Sequence, residues 1–283
     1  MPDTPVASVL IPTRDRADYL DVSLASIMPQ AAELAAEVIV VSDGPDPATA
    51  EVARRYGARH LALPEPRGAN ASRNAGVAAS SAPLVLFVDD DVDAPAGWLS
   101  AMLEGVQANP EHEVFGGPIR PRFEGGARTC GRHPPITNLD LGTSECDVDL
   151  VWSANMAVRR TALELVGPFD ETIHRRGDEE DWERRYTAGG GRIRYVPAAG
   201  LDHRRSAADS RLLSLAQAEY QIGRAARRWD TRKGTAPPPQ TDARWLLRWG
   251  LHTVRRRCPH GIVSAAHYVG RLREALAEGR RPS

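Results

Sequence analysis

The run Leu84-Val85-Leu86-Phe87-Val88 places five apolar side chains in succession, with Pro83 before it and Asp89, Asp90 and Asp91 directly after it. A strand with one wet face would alternate apolar and polar residues. An unbroken apolar run needs cover on both faces, the condition of an inner strand in a parallel sheet. Charged groups at the carboxyl end of such a strand lie where open α/β sheets bind ligands. Three adjacent carboxylates repel one another, so a cation is needed to answer them. A hard divalent ion with oxygen ligands suits that role, and its usual partner is a phosphate. The simpler alternative is a solvated turn with Asp93 capping a helix after Pro95.

Strand-like and helix-like segments alternate up to about residue 110. Strands are expected at 6–11, 38–41, 60–63 and 84–88. Helices are expected at 17–36, where Pro29 should kink or end the helix, and at 47–56, 70–80 and 95–108. Such alternation implies right-handed crossovers and a mostly parallel sheet flanked by helices. The stretch 124–138 is rich in Gly, Pro and Arg and reads as a loop. Strand pattern returns over 147–158, then a helix over 177–188 and a strand over 192–196. Helices follow at 206–229, 243–257 and 261–278, with a Pro-rich linker at 237–239. The expected organisation is an α/β domain over 1–203 and a basic helical extension over 204–283.

Charge supports that division. The net charge is −1, but residues from Arg204 onward hold 17 Lys/Arg against 6 Asp/Glu, and the rest hold 19 against 31. An acidic domain suits a metal-using site. The basic tail suits an anionic acceptor, a membrane surface or the acidic body itself. Cys130, Cys146 and Cys258 are odd in number and lack CxxC spacing, which fits a reducing cytoplasm and neither a disulfide framework nor a zinc knuckle. The N-terminus lacks a basic segment followed by an apolar stretch, so no signal peptide is expected. No run reaches the ~18 apolar residues of a membrane span.

Two further strand ends carry acids. One reads Ile11-Pro12-Thr13-Arg14-Asp15 and the other Val41-Ser42-Asp43-Gly44. Parallel strands share a direction, so both ends fall on the same sheet edge as Asp89. There Asp43 can accept a hydrogen bond from a base or ribose, or cap the helix after Pro47. Between Asp43 and Asp89, Arg67-Gly68-Ala69-Asn70-Ala71-Ser72-Arg73-Asn74-Ala75-Gly76 combines a turn glycine with small residues for close helix packing. Arg73 is placed to reach a nucleotide or to hold Asp43, or else lies on a solvated face. Neither a GxxxxGK phosphate loop nor a GxGxxG after the first strand is present.

Taken in order, these segments resemble a family 2 glycosyltransferase with the GT-A fold. The resemblance extends through Trp152-Ser153-Ala154-Asn155-Met156, Gly167-Pro168-Phe169-Asp170-Glu171 and Glu180-Asp181-Trp182-Glu183, and covers roughly residues 6–203. It implies transfer of a sugar from a nucleoside diphosphate sugar, most often a UDP-sugar, to an acceptor hydroxyl with inversion, using Mn²⁺ or Mg²⁺. It implies that Thr13, Asp43 and Arg73 contact the nucleotide and its surroundings. Asp89 and Asp91 match the outer acids of the DxD motif, which holds ribose and metal. Asn155 matches the donor-sugar shelf, and His203 a histidine that completes the metal site or contacts the diphosphate. Asp181 matches the general base, with its neighbour Glu180 the alternative.

Two other readings compete. A sugar nucleotidyltransferase would show a Gly-rich loop after the first strand, where Thr13-Arg14-Asp15-Arg16 stands. A non-catalytic sugar-nucleotide-binding protein would not need Asp89, Asp91 and Asp181 together. No nucleic-acid partner is expected. In the tail, Trp245, Leu246, Trp249 and Val254 fall broadly on one helical side, with Arg244, Arg248 and Arg255-Arg256-Arg257 beside them. The tryptophans suit packing on the catalytic domain or on a second copy of the chain. The whole helix suits peripheral contact with the inner face of a membrane.

Overall fold

The computed structural model describes residues 4–125 and 135–278. Cys130 and most of the expected loop over 124–138 lie outside the described residues. In chain order the elements are β1 (Ser8–Thr13), α1 (Ala17–Glu33), β2 (Glu37–Ser42), α2 (Pro47–Tyr56), β3 (Arg59–Ala62), α3 (Ala69–Ala79), β4 (Leu84–Val88), β5 (Val92–Asp93), α4 (Trp98–Ala108), β6 (Val114–Gly116) and β7 (Ile119–Phe123). They continue as β8 (Cys146–Val148), β9 (Asn155–Arg159), α5 (Arg160–Val166), α6 (Asp178–Ala188), β10 (Ile193–Tyr195), β11 (Leu201–Arg205), α7 (Leu212–Arg232), α8 (Pro239–Arg256) and α9 (His260–Glu278).

The main sheet has the order β3-β2-β1-β4-β9-β6-β10-β8, and a small sheet has the order β5-β11-β7. Strands β1 to β4 pair in parallel. The expected strand pattern over 147–158 resolves into β8 and β9, and β9 runs antiparallel between β4 and β6. The inner strands are covered on both faces, as the apolar run required. Val9, Ile11, Val38, Val40, Leu84, Leu86 and Val88 join one core with α1 and α4. Leu10, Ile39, Val41, Val85 and Phe87 join the other with Phe169, Trp182 and Tyr186. The period-two alternation of side chains divides each strand between the two cores.

Pro29 neither ends α1 nor stops it short, because the helix continues to Glu33. Its missing N–H leaves the carbonyl of Ala25 without a helical donor. Both residues are exposed, so water can satisfy that carbonyl.

The chain divides into two compact units, one of residues 1–121, 137–174 and 178–204, the other of 122–136, 175–177 and 205–283. In the second, α9 packs on both α7 and α8. Its closest approach to α7 needs glycine. A Cβ on Gly223 would lie 2.0 Å from the His267 carbonyl oxygen, and one on Gly270 2.1 Å from that of Tyr220. Ion pairs tie the same helices, Arg271 to Asp242 at 2.7 Å and to Asp230 at 2.9 Å, and Arg224 to Glu274 at 2.9 Å. The tryptophans of α8 face its neighbour, with Trp245 stacked on Tyr268 at 6.0 Å. Cys146 and Cys258 are free thiols, and no described helix is long and apolar enough to cross a membrane.

One buried acid in α6 sets a pH dependence of stability. Glu183 is fully buried; its Oε1 accepts the Val151 N–H at 2.9 Å, and its Oε2 has no partner. Burial, with Glu180 adding repulsion, pushes its carboxyl up to about 8. It therefore folds neutral but ionises near 4.5 in the unfolded chain. The raised folded value means that stability is full below the unfolded value and is lost as pH rises toward the folded one. At ~1.4 kcal/mol per unit the loss is roughly 4–5 kcal/mol. Glu183→Gln keeps the acceptor for Val151 and cannot ionise. Urea melts should therefore match wild type near pH 5 and exceed it by several kcal/mol near pH 8. Parallel pH profiles for the two proteins would contradict this.

Candidate active site

Three strand ends meet at one edge of the sheet. Thr13 ends β1, Ser42 ends β2 in register with it, and Asp89 follows β4. The acidic turn after β4 is pinned to α1. Ser23 Oγ lies 2.7 and 2.8 Å from the Asp90 and Val92 carbonyl oxygens, which share its one O–H, and accepts the Val92 N–H at 3.1 Å. Arg16, one residue before α1, spans two acids, with Nη1 2.7 Å from Asp90 Oδ1 and Nη2 2.6 Å from Asp91 Oδ2.

Asp90 is thus an internal tie. Its second oxygen accepts the Thr13 hydroxyl at 2.6 Å. Burial, set against the attraction of Arg16, leaves its carboxyl raised to about 7. Thr13 is buried and its hydroxyl is committed to Asp90. The side chain expected to contact a nucleotide ties β1 to the acidic turn.

His203 arrives from far along the chain. β11 pairs with β5, setting His203 opposite Val92, and the Arg204 N–H donates to the Asp91 carbonyl at 2.7 Å. The imidazole Nε2 lies 2.7 Å from Asp91 Oδ1, and Nδ1 lies 3.1 Å from the Thr137 carbonyl oxygen. A carbonyl only accepts, so Nδ1 carries a proton. Nε2 then either holds a second proton against Asp91 or offers its lone pair to a cation. Burial opposes the charged imidazole, but Asp91 and Asp89 outweigh it and raise its pKa. Asp91 is also buried, yet His203 and Arg16 hold its carboxyl well below the usual range. Asp89 is raised, first by burial and then by Asp91.

Asp89, Asp91 and His203 offer three ligand atoms within 4.8 Å of one another. Two carboxylates and one imidazole with its other nitrogen hydrogen-bonded form a donor set that fits a divalent ion such as Mn²⁺ or Mg²⁺.

Asp43 is oriented by backbone. Its Oδ1 accepts the Arg67 and Gly68 N–H groups at 2.6 and 2.9 Å, and Arg14 Nη1 lies 3.6 Å from its Oδ2. Asp46, and not Asp43, caps α2. Gly68 has φ 99°, and a Cβ there would meet His174 Nδ1 at 2.7 Å, so the turn admits only glycine without rearrangement.

Arg73 does not reach Asp43. It is buried and donates to Asn70 Oδ1 at 2.7 Å, Asp178 Oδ2 at 2.7 Å and Ser153 Oγ at 2.6 Å. It therefore positions the start of α6. Asp178, Glu179 and Asp89 all act on its charge, which gathers the three acids around one guanidinium. Asp178 is lowered despite burial, by Arg73 and by a hydrogen bond with Glu179. Glu179 is raised well above the carboxylate range, by burial and then by Asp178.

Asp181 takes a different direction. Its Oδ2 is 3.1 Å from Arg185 Nε, and Arg185 also donates to the Val166 and Pro168 carbonyls. Glu180 is paired with Arg184 at 2.8 Å. The acids of the quartet that act on Arg73 are Asp178 and Glu179, while Glu180 and Asp181, the residues expected from the sequence, are paired with Arg184 and Arg185. Asn155, expected at the donor-sugar shelf, lies in the interior. It is fully buried, accepts the Trp98 indole N–H at 3.0 Å and donates to the Pro118 and Ala199 carbonyls at 3.1 and 2.7 Å. With oxygen and nitrogen both engaged, it holds β9 in place.

The sequence pattern described as Glycosyl transferase family 2 matches residues 8–167. The chain belongs to this family. Among its relatives, this family 2 chain is 32% identical over 205 residues to the pre-mycofactocin glycosyltransferase of Mycobacterium tuberculosis, covering 69% of this chain and 42% of that one. It is 27% identical over 192 residues to the glycosyltransferase AglE of Haloferax volcanii, covering 66% and 62%. It thus spans less than two thirds of the length of these curated relatives. Among solved structures, the mannosyltransferase PcManGT of Pyrobaculum calidifontis, in complex with GDP-Man and Mn²⁺, superposes with a TM-score of 0.57 at 17% identity, covering all of this chain and 77% of that one. The shared fold agrees with the α/β architecture expected from the sequence.

Proposed function

We propose that the chain is an inverting glycosyltransferase that moves a sugar from a nucleoside diphosphate sugar to an acceptor hydroxyl. The observation that carries the proposal is the convergence of Asp89, Asp91 and His203 at the carboxyl end of β4 in a family 2 chain. These three residues would hold Mn²⁺ or Mg²⁺. When bound, such an ion would neutralise charge on the leaving diphosphate. Asp43, fixed by two backbone N–H groups, suits recognition of the nucleoside.

Glu179 is the group best suited to be the base. Its raised pKa makes it a stronger proton acceptor than an ordinary carboxylate once ionised. It would take the acceptor hydroxyl proton as that oxygen bonds to the anomeric carbon and the bond from that carbon to the diphosphate breaks. Arg73 and Asp178 would act through Glu179 by fixing its position and charge.

Donor hydrolysis across a panel of UDP- and GDP-sugars, with and without Mn²⁺, tests the reading. UDP is the family's commonest donor nucleotide, and GDP-Man is bound in the PcManGT complex. The expected result is turnover of one donor, stimulated by the metal. NMR of the product should show the anomeric configuration opposite to the donor's. Nucleotide binding without turnover of any donor would favour a non-catalytic binding protein instead.

A further inference from the structure

Among the described residues, the arginines of α8 are the largest group of cations outside any ion pair. Between Arg244 and Arg273 the sequence contains seven arginines and no Asp or Glu. The acids elsewhere in the helical tail are engaged. Asp230 and Asp242 hold Arg271, Glu274 holds Arg224 and Arg228, and Glu278 holds Arg227. None of Arg244, Arg248, Arg255, Arg256 and Arg257 forms an ion pair with a described residue. Charges at 255–257 also complement the end of α8, where the helix dipole favours cations. That explanation does not reach Arg244 and Arg248, which lie mid-helix.

The apolar side chains of α8 divide into two sets. Trp245 stacks on Tyr268 of α9, and the backbone at Trp249 and Thr253 lies against Gly261. Leu247, Leu251 and Val254 point the other way and are 74%, 48% and 76% exposed. At 100° per residue, these three fall with Arg244, Arg248 and Arg255 in one arc of about 120°. The sequence suggested a stripe of tryptophans. In the structure Trp245 stacks on Tyr268 while staying 38% exposed under Arg248, and the more exposed aliphatic stripe lies outward with Arg244, Arg248 and Arg255 along one side of it.

We infer that this face of α8 is an interfacial surface that docks on an anionic phospholipid bilayer, the aliphatic stripe entering the headgroup boundary and the arginines meeting the phosphates. An exposed apolar stripe flanked by cations is the pattern of helices that lie in the interface plane. Charge complementarity favours this occupant over a second copy of the chain. A symmetric contact through the face would set Arg244, Arg248 and Arg255 against the same three residues. The inference stands independently of the transferase reading.

Co-sedimentation of the full chain with vesicles tests it, using phosphatidylcholine alone or with about 30% phosphatidylglycerol, at low salt and at about 0.15 M. The chain should sediment with the anionic vesicles at low salt at least about tenfold more than with the neutral ones, and less as salt rises. The triple variants Leu247→Ser/Leu251→Ser/Val254→Ser and Arg255→Ser/Arg256→Ser/Arg257→Ser should each reduce partitioning about tenfold with unchanged circular dichroism. All six side chains are exposed, so the fold does not depend on them. Absence of binding to anionic vesicles at low salt overturns the inference. Binding that ignores the aliphatic variant also overturns it, because the arginines would then be meeting a polyanion without insertion. So does self-association that the aliphatic variant abolishes while vesicles stay unbound.

Discussion

Glu179→Gln should lower sugar transfer by about two to four orders of magnitude, the scale of losing a general base, while nucleotide binding persists. The amide retains the size of the carboxyl but cannot accept the acceptor's proton. Asp181→Asn should change turnover by less than about threefold, because that carboxylate is turned to Arg185 at 3.1 Å. The pH profile separates a base from a structural acid. Burial and Asp178 hold Glu179 well above the carboxylate range. Turnover in the wild-type protein should therefore rise with pH through a value higher than an ordinary glutamate's. That limb should vanish in Glu179→Gln. If Asp181→Asn were the crippled variant and Glu179→Gln nearly normal, the base would be Asp181, as the sequence first suggested.

The quartet Asp178-Glu179-Glu180-Asp181 shows where the sequence stopped being readable. Four acids at one helix start are spaced by 100° each, so each points in a different direction. Their orientation depends on how the helix is rotated. Trp182 sets that rotation, stacking on Phe169 at 5.5 Å and Tyr186 at 5.9 Å and donating to the Gly167 carbonyl. Tyr186 is one turn on in the same helix, but Phe169 and Gly167 lie outside it, and their contacts with Trp182 follow from the fold and not from the local pattern. The strand ends bearing Asp43 and Asp89 were legible because an unbroken apolar run announces a covered strand, and parallel strands share one edge.

Arg16 was missed for a related reason. It stands in the same segment as Thr13, but only the turn after β4, folded onto α1 by Ser23, brings Asp90 and Asp91 to it. Asn155 and Arg73 were recognisable as positions of note, yet a motif does not say whether a polar side chain faces a ligand or the interior. Both proved to be buried ties. The antiparallel insertion of β9 between β4 and β6 was equally silent, since a strand pattern does not name its neighbours.

The acids after β4 should separate by what else they hold. Asp89→Asn removes one charge from a partly exposed residue. It should abolish most divalent-dependent nucleotide binding and leave the urea midpoint close to wild type. Asp91→Ala should lose the same binding and also destabilise the fold. Asp91 is 3% exposed and answers two cationic groups, Arg16 at 2.6 Å and His203 at 2.7 Å. Its removal leaves His203 Nε2 without its acid and Arg16 with Asp90 alone. Breaking a buried pair from one side costs roughly 3–5 kcal/mol. Calorimetry of Mn²⁺ with UDP and with GDP, paired with urea melts, reads both effects. Wild-type affinity for metal and nucleotide in both variants would remove Asp89 and Asp91 from the site. Lost binding with an unchanged midpoint in Asp91→Ala would mean that Asp90 suffices to hold Arg16, and that the carboxylate serves the metal more than the fold.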